Sequence, residues 1–418
     1  MIHQPERECM ARETLAALQL EALQAVMART YLHVPFYRQR FDASRVDPDE
    51  VRALDDLGRL PFTTREDLQA NYPYGLFAVP LREVVRIHAS TCMSVVVGYT
   101  RNDIKTWSEL VARVLVAGGV GKDDVVQIAL GYNLSTGGFG VHYGAERIGA
   151  SVIPTSTGNT RRQLKIMRDF KTSALVATPG YAGLLGRTLQ AQGGPRGALS
   201  LRVALLGGEP LSDPLRREIQ ESLGVVATDN YGLSEVMGPG VAGECQERNG
   251  LHLNEDHFLV EVVDPKSLRP VPDGEPGELV LTTLSKEAFP VIRFRTRDVT
   301  RLLPGTCPCG RTSRRMARIE RRSDDILIVR GVKVDPRRIA ELFFEIEGHA
   351  SPHRVQLDRE GGMDQLTLLV GVEDSVDLDE VKKQQSRLER LRRGFSSELG
   401  LNVAVRLVEQ ASLAPSPP

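Results

Sequence analysis

The sequence predicts an α/β protein with a large N-terminal domain, containing mostly parallel sheets and a β-rich subdomain, and a small C-terminal α+β domain. Three observations predict this class. Helical patterns alternate with short apolar runs over about 108–206, as in strand–helix–strand units. Segment 257–303 is rich in β-formers separated by turn residues, and a shorter alternation begins after residue 322. The 418-residue chain is also too long for one ordinary domain, so we expect a boundary between 1–323 and 324–418.

The elements follow the hydrophobic periodicity in chain order. Apolar residues at helical spacing predict a helix over 10–30. Four apolar runs then predict parallel strands at 125–130, 151–154, 174–178 and 203–206. Antiparallel strands are predicted at 258–263 and 277–283. In the small domain, the patterns predict strands at 326–329, 365–372 and 403–408, a helix from near Pro336 and a charged helix over about 377–398.

Composition excludes several classes of protein. The 53 basic and 54 acidic residues nearly cancel and no basic block stands out, so neither nucleic acid nor an anionic membrane surface is expected as a partner. The N-terminus lacks the apolar run of a signal peptide, and no window approaches the roughly 18 to 20 apolar residues of a membrane helix. A cytoplasmic location is therefore expected. Five cysteines, an odd number, argue against a disulfide framework and leave thiols available for a metal.

Ordered motifs cover nearly the whole chain. They include Arg86-Ile-His-Ala-Ser90, Gly207-Gly-Glu-Pro210, Tyr231-Gly-Leu-Ser-Glu-Val-Met-Gly-Pro-Gly-Val241, Arg293-Phe-Arg-Thr-Arg-Asp298 and Arg322-Ser-Asp-Asp-Ile326. In this order and spacing they resemble the phenylacetate-CoA ligase family of the adenylate-forming superfamily. The resemblance implies an ANL-type fold. It also implies an enzyme that joins an aryl carboxylate to coenzyme A through an acyl-AMP, with a small domain that rotates between the two steps.

The resemblance implies a nucleotide site in the middle of the chain. Its adenine pocket would be lined by Gly207, Gly208, Glu209, Pro210, Asp229, Asn230, Tyr231 and Gly232, with Tyr231 stacking on the base. Asp298 would accept hydrogen bonds from the ribose hydroxyls, and Arg318 would also bind the nucleotide. Ser234 and Glu235 would act near the α-phosphate, where Glu235 would help hold Mg²⁺. The alternative is that Asp298 pairs with a neighbouring arginine and that the Gly-Gly-Glu-Pro segment is an ordinary turn.

Other site residues are assigned by position in the family pattern. Tyr132, Gly137, Gly138, Phe139 and Gly140 stand where the family lines its carboxylate pocket, although a glycine-rich turn needs no substrate to explain it. His88 is a third catalytic candidate, and a core histidine is an equal alternative. Asp324 and Asp325 would form the interdomain hinge, with Gly331 and Lys333 facing coenzyme A. Two solvated carboxylates before a strand are the alternative to the hinge.

A second group of residues consists of candidate metal ligands. Cys245, His252, Cys307 and Cys309 form a Cys₃His set, which tetrahedral Zn²⁺ prefers. Some members of the family carry such a zinc, and the subdomain around it would span about 240–312. A site with four protein ligands leaves no open position, so its role would be structural. Unrelated thiols and a histidine are the alternative.

Two segments depart from the family pattern. The family's phosphate loop reads approximately Ala-Ser-Ser-Gly-Thr-Thr-Gly-Lys, whereas segment 89–100 lacks both glycines, the lysine and about three residues. Those glycines let backbone N–H groups turn toward phosphate oxygens. Thr91 and Ser94 remain as donors, beside Cys92 and Met93. The family's C-terminal lysine is also missing after 403–408. Loss of one charged donor costs on the order of 10²- to 10³-fold in rate.

Three hypotheses follow. The favoured one is a ligase-family enzyme that adenylates an aryl acid and transfers it to coenzyme A, with Mg²⁺, ATP or AMP, coenzyme A and structural Zn²⁺ as cofactors. The second is transfer of a preactivated acyl group, such as an acyl-adenylate, to coenzyme A, a carrier protein or an amine. The third is a non-catalytic binding protein on the ligase fold. A homodimer is a possible assembly in each case, and fold-level resemblance cannot select among the three.

Overall fold

A computed structural model describes residues 1–90, 95–193, 199–348, 352–360, 363–372, 378–409 and 413. The chain forms two units, Met1–Ser323 and Asp324–Pro418. The predicted mixed α/β class is confirmed. Among the described residues, no helix is long and apolar enough to cross a membrane.

The first unit contains nine of the α-helices found in the described ranges. They are α1 (Pro5–Glu8), α2 (Arg12–His33), α3 (Pro35–Ser44), α4 (Arg65–Ala70), α5 (Arg101–Ala117), α6 (Gly137–Arg147), α7 (Thr160–Asp169), α8 (Pro179–Ala191) and α9 (Asp213–Leu223). Short 3₁₀ helices lie at Pro48–Glu50, Leu54–Arg59 and Leu81–Glu83. The predicted helix over 10–30 corresponds to α2, which ends just before Pro35 because the residue that precedes a proline avoids helical geometry.

The strands of this unit alternate with the helices and then follow one another. They are β1 (Arg86–Ala89), β2 (Val96–Tyr99), β3 (Val125–Ile128), β4 (Ser151–Ile153), β5 (Ala174–Ala177), β6 (Val203–Gly207), β7 (Val226–Leu233), β8 (Gly238–Glu244), β9 (Leu251–Leu253), β10 (Phe258–Val263), β11 (Gly277–Thr283), β12 (Phe294–Thr300), β13 (Leu302–Leu303), β14 (Arg315–Met316) and β15 (Arg321–Arg322). The four apolar runs expected as parallel strands correspond to β3, β4, β5 and β6.

A nine-stranded sheet forms the centre of the unit, in the order β13-β14-β9-β8-β7-β6-β5-β3-β4. Strands β3 to β7 pair in parallel, whereas β8, β9, β14 and β13 extend the sheet with antiparallel pairs. The sequence did not predict β8, because its Gly-Pro-Gly-Val-Ala-Gly-Glu composition is poor in β-formers. Pairing with β7 and β9 overrides that weak local preference.

A four-stranded antiparallel sheet, in the order β10-β11-β12-β15, accounts for the β-rich segment. Its strand β12 carries Asp298, which lies opposite Arg322 of β15. On the other side of β12, the register against β11 shifts between Glu278 and Val280. Such a bulge bends its strand locally. The sheet therefore places the Arg293–Asp298 motif next to Arg321 and Arg322.

Helix α5 joins the altered loop segment to the core. Thr100 caps it, because its hydroxyl accepts a 3.0 Å hydrogen bond from the backbone N–H of Asp103, and the Asp103 carboxylate accepts from the N–H of Thr100 at 2.9 Å. Farther along the helix, Trp107 is 1% exposed and donates from Nε1 to the carbonyl of Pro239 at 2.8 Å. The helix thus attaches β2 to the start of β8.

The second unit has its own sheet and core. Its elements are β16 (Leu327–Val329), β17 (Val332–Val334), α10 (Pro336–Glu347), β18 (His353–Glu360), β19 (Met363–Val372), α11 (Leu378–Leu399) and β20 (Val403–Glu409). Strand β19 pairs antiparallel with β18 and parallel with β20. Phe343 and Phe395 pack edge to face at 4.7 Å in the core. Strand β18 was not predicted, since its apolar positions are few.

Candidate functional site

Two sequence motifs meet at Asp298. The hydroxyl of Tyr231, at the end of β7, donates a 2.6 Å hydrogen bond to Oδ2 of Asp298. The guanidinium of Arg322 donates to Oδ1 at 2.6 Å. Burial and the Asp298 charge raise the pKa of Tyr231 well above its usual value, so the phenol stays protonated. The expected arginine partner of Asp298 is therefore present, and ribose binding by Asp298 stays a prediction.

The Gly207–Pro210 segment forms a turn at the carboxyl end of β6. Gly208 has a φ of +80°, which favours glycine. A Cβ on Gly207 would lie 2.6 Å from the carbonyl oxygen of Asn230, so this approach also requires glycine. Glu209 accepts a 2.9 Å hydrogen bond from the N–H of Gly180, at the start of α8. Ligands of open parallel sheets commonly bind at this edge.

The neighbouring strand β7 contributes Asp229 and Asn230. Burial and the nearby Glu244 carboxylate raise the pKa of Asp229 to about 7. The Asn230 amide donates to the carbonyl of Leu206 at 3.2 Å, which links β7 to β6. Gly232 is required by packing, because a Cβ there would lie 2.1 Å from the carbonyl oxygen of Gly238. These residues lie at one sheet edge, and their contact with adenine remains a prediction.

Arg318 lies beside the turn that follows Gly207–Pro210. Its guanidinium donates to the carbonyl of Leu211 and to the carboxylate of Asp213. Hydrogen bonding to Arg318 lowers the pKa of Asp213. These contacts fix Arg318 beside the Gly207–Pro210 turn, and nucleotide binding by Arg318 stays a prediction.

Ser234 and Glu235 occupy the turn between β7 and β8. The hydroxyl groups of Ser234 and Thr136 share a hydrogen bond of 2.8 Å. Glu235 is buried, with 4% of its surface exposed. Because Thr136 directly precedes α6, this contact joins the candidate phosphate residues to the candidate acyl-binding segment.

The acyl-binding candidates surround the start of α6. The rings of Tyr132 and Phe139 pack edge to face at 5.3 Å. A Cβ on Gly138 would lie 2.5 Å from the carbonyl oxygen of Gly131, and one on Gly140 would lie 2.5 Å from Trp107. Close packing thus accounts for Gly138 and Gly140 without a substrate, whereas Gly137 begins the helix with ordinary space around it. Their role in a pocket stays a prediction.

His88 is buried against the same aromatic group. Its Nδ1 lies 3.0 Å from the carbonyl oxygen of Leu134, and its ring centroid lies 5.7 Å from that of Phe139. Burial lowers its pKa, so the ring is neutral at physiological pH. Its Nε2 is buried and has no hydrogen-bond partner among the residues that the structure describes. An orphaned buried nitrogen of this kind is consistent with a ligand or water next to it.

Sequence reasoning missed Lys286, which lies in the loop between β11 and β12. It is 2% exposed, and burial lowers its pKa to about 7. Its Nζ lies 3.0 Å from the centroid of the Tyr99 ring. A lysine in the otherwise mostly apolar segment around Ala288 and Phe289 was the available signal.

Both departures from the family pattern include residues outside the described ranges. Thr91, Cys92, Met93 and Ser94 are outside the described residues, as is the tail over 414–418. Ser90 and Val95 bracket the altered loop, and the N–H of Ser90 donates to the carbonyl of Val95 at 2.8 Å.

The candidate hinge begins the second unit. Asp324 is its first residue, and its carboxylate accepts a 3.4 Å hydrogen bond from the N–H of Ile326. Arg330 and Gly331 have φ values of +51° and +78° and form the two-residue turn between β16 and β17. Lys333 follows on β17. The hinge role of Asp324 and Asp325 and the coenzyme A role of Gly331 and Lys333 stay predictions.

Four predicted metal ligands come together in the first unit. Cys245 follows β8, His252 lies on β9, and Cys307 and Cys309 lie between β13 and β14. Their ligand atoms all lie within 4.8 Å of one another. The two sulfurs of Cys245 and Cys307 are 3.7 Å apart, and Cys309 Sγ is 3.4 Å from His252 Nε2. Tetrahedral Zn²⁺ with ordinary bond lengths requires about 3.8 Å and about 3.5 Å for these pairs.

The protonation states of His252 and Cys309 favour metal binding. Burial and the charges of Arg311 and Arg315 lower the pKa of His252 to about 4, so its imidazole is neutral and available as a ligand. Burial raises the pKa of Cys245 to about 12. A bound metal would lower this pKa, because it stabilises the thiolate. Hydrogen bonds from the Arg311 backbone and side chain lower the pKa of Cys309. Ser313 Oγ lies 3.3 Å from His252 Nδ1, where it can orient the ring.

Two family models match the chain. The model of the AMP-binding enzyme family matches residues 135–285, which include the Tyr231 motif and the acyl-binding candidates other than Tyr132. The model of the AMP-binding enzyme C-terminal domain matches residues 331–417. Together they cover parts of both units.

Individual relatives match over almost their full length. The phenylacetate-coenzyme A ligase of Escherichia coli strain K12 is 47% identical, over 97% of this chain and 93% of the relative. The phenylacetate-coenzyme A ligase of Thermus thermophilus is 45% identical, over 97% and 94%. The crystal structure of 2-hydroxyisobutyryl-CoA ligase with 2-HIB-AMP and CoA in the thioesterification state has a TM-score of 0.91 and 27% identity, over 99% of this chain and 90% of the other.

Proposed function

The chain belongs to the phenylacetate-coenzyme A ligase family of AMP-binding enzymes, and we propose that it joins an aryl carboxylic acid to coenzyme A through an acyl-adenylate. In the first step a carboxylate oxygen attacks the α-phosphorus of ATP and pyrophosphate leaves. In the second step the thiol of coenzyme A attacks the acyl carbon, its proton passes to solvent, and AMP leaves. Adenylation is needed because a free carboxylate is a poor electrophile, whereas the acyl-adenylate carries AMP as a good leaving group.

The observation that carries the proposal is the convergence of Tyr231, Asp298 and Ser234 next to the start of α6. Tyr231 and Asp298 are hydrogen-bonded, and Ser234 contacts Thr136 at 2.8 Å. Nucleotide and acyl candidates thus share one edge of the sheet, as a reaction between ATP and a carboxylate requires. In this proposal Asp298 binds the ribose, Glu235 holds Mg²⁺, and Tyr132 and Phe139 contact the aryl ring.

One observation favours a second candidate. Segment 89–100 lacks the family's glycines and lysine, which would bind phosphate oxygens while pyrophosphate leaves. The thioester step releases no pyrophosphate, so it does not need those groups. The second candidate is therefore transfer of a supplied acyl-adenylate to coenzyme A, a carrier-bound thiol or an amine.

Product formation separates the two candidates. The full chain is incubated with coenzyme A and either an aryl acid plus Mg-ATP or the synthetic acyl-adenylate, and the thioester is quantified by mass spectrometry. Thioester from both mixtures supports the ligase. Product from the acyl-adenylate alone supports the transferase, and an amine acceptor tests its range. Product from neither mixture, together with no binding of the acyl-adenylate, leaves a non-catalytic scaffold on the ligase fold.

We further propose that Cys245, His252, Cys307 and Cys309 hold a structural Zn²⁺. The support is the donor set and its spacing, which matches tetrahedral zinc within a few tenths of an ångström. Four protein ligands leave no position for water, so the ion would join the end of the large sheet to the loop that follows β13. Metal analysis of the purified protein tests this, with about one zinc per chain expected.

A further inference from the structure

Lys286 is an unusual residue for a protein interior. It is among the largest fully buried side chains, and lysine is almost never fully buried without a charged partner. Within the part of the chain that the structure describes, no carboxylate lies at ion-pair distance from its ammonium, although the charge of Asp103 acts on it. A buried charge without such a partner costs stability. The position therefore needs an explanation other than stability.

The ammonium of Lys286 has two neighbours that define its role. Its Nζ lies 3.0 Å from the centroid of the Tyr99 ring, a cation–π contact, and 3.9 Å from Sδ of Met237. Tyr99 and Met237 also touch each other, since the Tyr99 hydroxyl donates to the Met237 carbonyl at 2.7 Å. Lys286 thus lies at the junction of two segments distant in sequence.

In the proposed function, the adenylation step uses residues next to both segments. Tyr99 ends β2, the strand that follows the altered loop, and Met237 ends the turn that carries Ser234 and Glu235. The Tyr99 ring stacks on Trp107 at 4.9 Å, and Trp107 in turn donates to Pro239, two residues beyond Met237. A shift of Tyr99 relative to Met237 would therefore move the turn of Ser234 and Glu235 relative to β2.

The backbone around Lys286 is itself fixed. The carboxylate of Asp103 accepts hydrogen bonds from the N–H groups of Glu287 and Ala288, at 2.7 and 3.0 Å. The Thr100 hydroxyl donates to Glu287 at 2.6 Å. Both partners belong to the N-terminal cap of α5, which follows β2 directly. The lysine is thus anchored to one segment and reaches the other.

From these contacts we propose that Lys286 is a positioning residue for the adenylation half-reaction, holding the turn of Ser234 and Glu235 against the strand that leaves the altered loop. The proposal rests on the proposed ligase function. In the proposed function Glu235 holds the Mg²⁺ that accompanies ATP and pyrophosphate. The thioester half-reaction uses neither ATP nor pyrophosphate, so it depends on Lys286 far less. Misplacement of a catalytic group by about 1 Å costs on the order of 10²-fold in rate.

The test compares Lys286→Met with Lys266→Met, a matched control at an exposed lysine of the same unit. Methionine keeps a flexible side chain of similar size but removes the ammonium. We expect aryl-acid-dependent pyrophosphate exchange to fall about 10²-fold more than thioester formation from synthetic acyl-adenylate, with an unfolding midpoint no lower than that of the wild type. An equal loss in both half-reactions, unchanged exchange, or a lowered midpoint that explains the loss would each overturn the proposal.

A wild-type chain without acid-dependent exchange would refute the ATP-driven part of the proposed function, and this inference with it. Acid-dependent exchange in the wild type that Lys286→Met retains in full would overturn this inference alone.

Discussion

The Tyr231 hydroxyl and the Asp298 carboxylate, 67 residues apart in sequence, share a 2.6 Å hydrogen bond that joins the large sheet to the four-stranded sheet. Because Arg322 holds the other oxygen of Asp298, the carboxylate has a fixed orientation. A carboxylate oriented in this way can present its remaining lone pairs to two neighbouring hydroxyls of a ribose.

Removing the Tyr231 donor should weaken nucleotide binding without unfolding the protein. A hydrogen bond to a charged group contributes about 1.5 to 3 kcal/mol, so Tyr231→Phe is expected to reduce affinity for an acyl-sulfamoyl adenosine about 10- to 100-fold. Calorimetric titration measures the change, with Tyr74→Phe at an exposed ring as the control. Affinity equal to the wild type would show that the Tyr231–Asp298 contact is unrelated to the nucleotide.

Zinc removal should destabilise the first unit. We expect a strong chelator, or Cys309→Ser, to remove the metal and lower the unfolding midpoint, because metal binding to the folded state contributes to folding free energy. Cys9→Ser is the control, since the Cys9 thiol donates to the Gly310 carbonyl and is not one of the four clustered residues. A folded protein with far less than one zinc per chain, equally stable with and without chelator, contradicts the structural zinc.

Asp229 should make stability depend on pH. Its folded pKa of about 7 lies above the unfolded value of about 3.9. Between about pH 4 and pH 7 the folded state therefore binds more protons than the unfolded state, and the free energy of unfolding falls as pH rises through this window. The slope for one such proton is about 1.4 kcal/mol per pH unit at most.

Asp229→Asn removes that titration while keeping the size of the side chain. We expect the variant to be more stable than the wild type at pH 8 and to lose most of this advantage near pH 4, as followed by urea unfolding. Exposed Asp273→Asn should change neither value. An advantage for Asp229→Asn that is the same at both pH values would exclude the proposed titration.

Gly140 should tolerate no side chain. A Cβ there would lie 2.5 Å from Trp107, so Gly140→Ala forces α6 away from α5 and is expected to cost about 1 to 3 kcal/mol in the free energy of unfolding. Gly137→Ala, on the same helix with its nearest neighbour at 3.6 Å, should change stability little. Denaturant unfolding of both variants is the measurement, and similar losses would argue against the Trp107 contact as the cause.

Much of the fold could be predicted from periodicity and turn chemistry. Strands β5 and β6 are continuous apolar runs, β3 is apolar except for Gln127, and β10 and β11 are rich in β-formers, so local sequence indicates them. Strand β8 could not be predicted, because glycine-rich residues form a strand there only through pairing with β7 and β9. Local propensity carries no information about such tertiary pairing.

The candidate site was likewise predictable only in part. Motif order indicated Tyr231, Asp298 and the four clustered metal ligands, which the fold brings into two groups. The ion pair between Asp298 and Arg322 and the contacts of Lys286 depend on sheet register and loop packing, which no spacing rule gives. Gly140 is a case in which the sequence misleads. Its small size suggested space for a substrate, whereas in the fold it packs against Trp107.

Pyrophosphate exchange tests the central claim most directly. The full chain is incubated with Mg-ATP, labelled pyrophosphate and a panel of aryl acids, beside Asp298→Asn as the impaired variant. We predict label in ATP that depends on the aryl acid and on Mg²⁺ and that falls at least tenfold in Asp298→Asn. Absence of acid-dependent exchange across the panel, in a protein that still forms thioester from the acyl-adenylate, would contradict ATP-driven ligation.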